Sequence, residues 1–74
     1  MKQTNIEKVF ELFEIHREQF EKRMNAGLSD IAFGHLLACQ ALLTAADIFE
    51  PDAVEVDQMT CAQDAMQLWF FGKE

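Results

Sequence analysis

The first third of the chain repeats its apolar residues with the period of an α-helix. At about 100° per residue these positions fall on one arc roughly 100° wide, the buried stripe of an amphipathic helix. Thr4 followed by Glu7 matches a capping box, and Gly27 suits the left-handed residue that closes a helix. The pattern predicts a first helix over residues 5–26. Its buried stripe comprises Ile6, Val9, Phe10, Phe13, Phe20 and Met24.

A second segment is apolar around most of its circumference. Ser29 and Asp30 offer N-cap oxygens, and Pro51 disfavours helical geometry in the residue before it. We therefore predict a helix over 30–49 that is central in the fold. Only one narrow stripe is expected to meet water, and it consists of Asp30, Gly34, Gln40, Thr44 and Asp47.

The third segment regains helical periodicity after Pro51, which suits the first turn of a new helix. Its apolar positions run from Val54 to Phe70, and the helix is expected to end near Gly72. These boundaries predict a helix over 52–71. The fold class is thus all-α, a small three-helix bundle that forms a single helical domain over residues 1–74.

The apolar content exceeds what so short a chain can bury. A domain of this size buries only about 60% of the surface of its unfolded form, so we expect a second chain to cover part of the remainder. Leu12 and Ile15 fall on the far side of the first helix, and the chain ends with large aromatic residues. We expect a homodimer, or a partner interface, formed by Leu12, Ile15, Trp69, Phe70 and Phe71.

Charge divides the chain into two parts. The net charge is −7, yet the five glutamates before residue 24 are balanced by five Lys and Arg residues, Lys2 among them. Residues 24–72 contain seven acids and no Lys or Arg. The unbalanced acids concentrate around Pro51, and we predict a partner-binding acidic cluster of Asp47, Glu50, Asp52, Glu55 and Asp57. They lack the alternating acids and central glycine of an EF-hand loop.

The charge and the motifs narrow the classes of function. The acidity disfavours direct binding to nucleic acid or to an anionic membrane. Polar residues interrupt the second helix, so we do not expect it to span a membrane. His35 and Cys39 share a helical face, but two ligands do not make a metal site. Without a catalytic motif, we expect no enzyme activity, no metal and no cofactor. Two cysteines without metal or disulfide spacing indicate a cytoplasmic protein.

Two hypotheses remain. The first is a non-enzymatic interaction module, acting as regulator, adaptor or inhibitor through an apolar patch rimmed by carboxylates. The second is a DNA mimic, such as a phage-encoded inhibitor, whose carboxylates occupy the basic surface of a nucleic-acid-binding protein. Both hypotheses assign a protein partner to the acidic surface.

Overall fold

A computed structural model describes residues 4–72 and contains three helices: α1 (Asn5–Asn25), α2 (Ser29–Phe49) and α3 (Val54–Phe71). The all-α prediction is confirmed, and the predicted boundaries agree within two residues. The largest difference is at α3, because Ala53 has extended backbone angles and the chain turns through residues 50–53 before the helix begins. Lys2, one of the five basic residues that balance the glutamates, lies outside the described residues.

The two ends of α1 follow the predicted chemistry. The Thr4 hydroxyl accepts from the Glu7 N–H at 3.2 Å, while the Thr4 N–H donates to the Glu7 carboxylate at 2.9 Å. Gly27 has φ +78°, and the Leu28 N–H donates to the Arg23 carbonyl at 2.8 Å. The predicted capping box and the predicted left-handed glycine after the helix are both confirmed. The predicted N-cap of α2 is wrong, because the helix begins at Ser29 without a side-chain cap.

α1 and α2 form an antiparallel hairpin, and α3 packs antiparallel to α2. The Cys39 thiol donates to the Phe13 carbonyl at 3.6 Å, and the Gln63 amide reaches the Leu36 carbonyl at 3.5 Å. Phe13, Phe20, Cys39 and Met59 are the largest fully buried side chains. The core therefore lies between all three helices and is filled mainly by aromatic and sulfur-containing side chains.

The prediction that only a polar stripe of α2 meets solvent is wrong. Only Ala32, Leu36, Cys39 and Ala46 of this helix are buried, whereas Leu37 and Ile48 are 52% and 74% exposed. Two neighbouring helices cover only part of the circumference of a third, so an all-round apolar helix leaves one side uncovered.

α2 is also long and apolar enough to cross a membrane, by length and composition alone, contrary to the sequence prediction. The core helix of a water-soluble protein can meet the same criterion. In α2, 22% of the most apolar 18-residue window is buried. Most residues of this window are therefore not fully buried in the core of this chain.

Candidate functional site

The predicted acidic residues gather at the turn between α2 and α3, at one end of the bundle. Asp47, Glu50, Asp52 and Asp57 are exposed, and Glu55 is half-buried. Two large apolar side chains stand among them: Phe49 is 75% exposed and Val54 is 64% exposed. We call these seven residues the acidic tip. The sequence analysis assigned Phe49 and Val54 to buried helix faces, and it therefore missed the apolar part of this surface.

A cavity borders the acidic tip where the start of α1 meets the end of α2. It has a volume of about 440 Å³ and is open to solvent. Its walls include apolar Ile6, Val9 and Phe49, together with Lys8 and Glu50. The cavity extends the apolar surface of the tip onto α1, and Lys8 introduces one positive charge at its edge.

The predicted apolar interface residues lie elsewhere. On α1, Leu12 and Ile15 are 48% and 55% exposed, in agreement with their expected position on the far side of the helix. At the end of α3, Trp69 and Phe71 are exposed, while Phe70 is half-buried. The structure leaves four of these five side chains with large accessible areas.

The aromatic residues of α3 form a cluster with neighbouring helices. Phe70 packs against Phe33 with ring centroids 5.2 Å apart and against Phe20 at 6.5 Å, and Trp69 meets the Phe20 ring edge-on at 5.7 Å. This cluster lies at the C-terminal end of α3, whereas the acidic tip lies at its N-terminal end. A helix of 18 residues spans about 27 Å, so the predicted carboxylates do not surround the predicted aromatic residues.

A histidine pair joins α1 to α2, and the sequence analysis missed it. His16 Nδ1 lies 3.0 Å from His35 Nδ1, and both side chains are half-buried. One ring nitrogen must donate and the other accept. Burial lowers the pKa of His35, and the neighbouring His16 and Arg23 lower it further. The sequence does contain a signal for this contact. An antiparallel hairpin brings together residues at similar distances from its turn, and the two histidines lie ten residues before and nine residues after Ala26.

The thiol at position 39 is part of the core. Cys39 is fully buried, and this burial, with a smaller contribution from Glu14, raises its pKa to about 11. The thiol is therefore protonated at neutral pH. Cys61 is exposed, and neither cysteine forms a disulfide.

Arg17 organises the glutamates of α1. Its guanidinium reaches Glu14 at 3.2 Å and Glu21 at 2.9 Å, and hydrogen bonding to Glu14 raises the pKa of Arg17. Part of the glutamate row is therefore neutralised within the helix. The acids of the tip have no Lys or Arg near them in sequence, and Lys8 of α1 lines the same cavity as Glu50, so most of the unbalanced charge of the chain lies at the tip.

Over residues 4–72, no group of three or more His, Cys, Asp or Glu side chains is arranged to hold a metal ion. The chain was also compared with family models, curated proteins and solved structures, and no match was found in any of the three comparisons.

Proposed function

We propose that this chain is a small interaction protein that binds a partner protein through the acidic tip and acts as a homodimer. The observation that carries this proposal is the exposure of Phe49 and Val54 on either side of a turn that is flanked by carboxylates. Apolar side chains with a polar rim are the usual composition of a binding surface. The complementary partner surface combines Lys or Arg residues with an apolar pocket.

The charge of the tip defines how the partner is bound. Five carboxylates on and beside one interhelical turn attract a basic surface over a distance set by the ionic strength, and they mainly accelerate association. Phe49 and Val54 supply the contact that persists after docking, because buried apolar area slows dissociation. We therefore expect binding that weakens with salt without being abolished by it.

The experiment is a pull-down with the immobilised chain, followed by identification of the retained proteins and measurement of binding with each purified partner. The Phe49→Ser variant should lose at least about 2 kcal/mol of binding free energy if Phe49 is a central contact. The matched control is Leu68→Ser, because Leu68 is 73% exposed but belongs to the far end of α3. Equal binding by both variants would remove the acidic tip from the proposal.

The DNA mimic is the second candidate, and the absence of Lys and Arg from residues 24–72 favours it. In that case the partner is a nucleic-acid-binding protein, and duplex DNA competes with the chain for it. Neutralising the tip with Asp52→Asn and Asp57→Asn should then weaken binding more than Phe49→Ser does. If saturating DNA leaves the complex intact, the mimic is excluded for that partner.

A further inference from the structure

The side of α2 that faces away from the core carries a regular apolar row. Residues of this row are separated by three, four, three, four and three positions, which is the a/d spacing of a coiled coil. They fall on an arc about 100° wide, on the opposite side of α2 from the buried Leu36 and Cys39. We call this row the α2 outer face: Ile31, Gly34, Ala38, Ala41, Ala45 and Ile48.

The spacing of the row reads the same in both directions, and side-chain size does so except that Gly34 is matched by Ala45. If two copies of α2 cross antiparallel around the point between residues 39 and 40, Ile31 lies opposite Ile48 of the second copy. Gly34 then lies opposite Ala45, and Ala38 opposite Ala41. Small residues at the centre allow close approach, and the isoleucines pack at both ends. This self-complementarity is the property that a two-fold symmetric interface requires.

We propose that the α2 outer face is the seam of an antiparallel homodimer, in which the two α2 helices pack against each other. This inference rests on the proposed function and deepens it, since it assigns the dimer contact to the α2 outer face, which meets the acidic tip at Phe49. The partner at this seam is a second copy of the same chain.

Exposed apolar side chains extend the row along one edge and at its end. Ile31, Leu37 and Ile48 are 51%, 52% and 74% exposed, and Phe49 adjoins them at the end of the helix. A stable, specific interface takes roughly 800 Å² from each chain, so Leu37 and Phe49 must join the row in the contact.

The distribution of charge selects the antiparallel orientation. Within the arc of the outer face, Asp30 is the single charged residue of α2, and it lies in the first turn. A parallel pair would place two acidic tips side by side. In an antiparallel pair the tips are separated by about the 30 Å length of α2, well beyond the screening distance of about 8 Å at physiological ionic strength, and only Asp30 of one copy lies beside the tip of the other.

The first test is the mass of the chain by sedimentation equilibrium across the micromolar range. We expect twice the chain mass of 8.5 kDa.

The Ala41→Glu substitution adds a carboxylate from each copy at the centre of the seam, and it should weaken dimerisation at least tenfold while leaving the helical circular dichroism unchanged. Gln58→Glu is the control for added charge, because Gln58 is exposed on α3. A monomer throughout, or equal effects of the two variants, overturns the proposal.

Disulfide trapping tests the orientation in a Cys61→Ser background. A mixture of Ile31→Cys and Ile48→Cys chains should yield cross-linked heterodimers, whereas each variant alone should yield almost none. Cross-linking of each variant with itself would indicate a parallel pair and overturn the antiparallel seam.

Two further outcomes separate this inference from the proposed function. If the wild-type chain is monomeric but still loses partner binding with Phe49→Ser, the seam is wrong and the acidic tip stands. If Ala41→Glu abolishes dimers but retains partner binding, the seam is supported independently of the tip. A membrane surface is the alternative occupant of this face. If the wild-type chain forms no dimer in solution but floats with zwitterionic lipid vesicles, and Ala41→Glu abolishes the flotation, the face binds membranes and the dimer is overturned.

Discussion

Two consecutive leucines on α2 occupy opposite environments. Leu36 is 2% exposed and lies against α3, where its carbonyl accepts from Gln63, whereas Leu37 is 52% exposed. The same residue type therefore has different roles one position apart, because each step along an α-helix turns the side chain by about 100°. Leu36 belongs to the face of α2 that stabilises the bundle, whereas Leu37 is available for contact with a second molecule.

The largest effect should come from truncating the inner leucine. Leu36→Ala removes a fully packed side chain and leaves a cavity, so we expect the free energy of unfolding to fall by about 2–5 kcal/mol. The matched variant, Leu37→Ala, should lose less than about 1 kcal/mol when measured at concentrations where the chain is monomeric. Urea denaturation followed by circular dichroism gives both values. Similar losses would show that the two faces do not differ as the structure indicates.

The two thiols provide a second comparison, between the inner face of α2 and the surface of α3. At pH 8 a thiol with a pKa of about 11 is almost entirely protonated, and Cys39 is also fully buried. We expect Cys61 to react with Ellman's reagent at least roughly a hundredfold faster than Cys39 in the native protein. The Cys61→Ser and Cys39→Ala variants assign each rate to its thiol. Rapid labelling of both thiols would contradict the burial of Cys39.

A third prediction concerns the polar side chain beside Leu36. Gln63 is 2% exposed, and its carbonyl oxygen lacks a hydrogen-bond partner among the described residues. Gln63→Met removes this unsatisfied acceptor and one long hydrogen bond, so we expect a stability gain of about 1 kcal/mol. Gln67→Met is the control, since Gln67 pairs with Gln40 at an exposed position and should change stability by less than about 0.5 kcal/mol. A loss of stability in Gln63→Met would show that its amide bond outweighs the unpaired oxygen.

The smallest effect is a pH dependence at the contact between α1 and α2. The pKa of His35 is lowered in the folded state, so the unfolded chain binds more protons once the pH falls below about 6.5. Stability from this residue is complete above that pH and declines as the pH falls toward the lowered pKa. Urea denaturation at pH values between about 7 and 5.5 should show this decline, and His35→Gln should reduce it. An unchanged slope in His35→Gln would assign the decline to other groups.

Much of the secondary structure was predictable from local chemistry. The Thr4–Glu7 capping box, the Gly27 stop and the break at Pro51 act within a few residues, so their signals are present in short stretches of sequence. The N-cap of α2 was not predicted correctly, because Ser29 and Asp30 are good cap residues that the chain instead includes in the first turn. Helix existence was therefore easier to predict than the residue at which each helix begins.

The candidate site was predicted in part. The acids around Pro51 follow directly from residue counts, and the exposure of Leu12 and Ile15 follows from the helical period. Phe49 and Val54 were missed because periodicity shows that a residue is apolar and on a given face, but not whether another helix covers that face. The contact between His16 and His35 was missed because nineteen residues separate them in the chain.

The sequence by itself determined three helices, their approximate ends and the segregation of charge into a balanced first segment and an acidic remainder. These properties depend on residues within one or two helical turns. Only the tertiary structure decided which sides of the apolar α2 are covered, since that depends on where α1 and α3 pack. The same packing exposes Phe49 among the carboxylates and leaves the row from Ile31 to Ile48 facing solvent, because two neighbouring helices cannot enclose the whole circumference of a third.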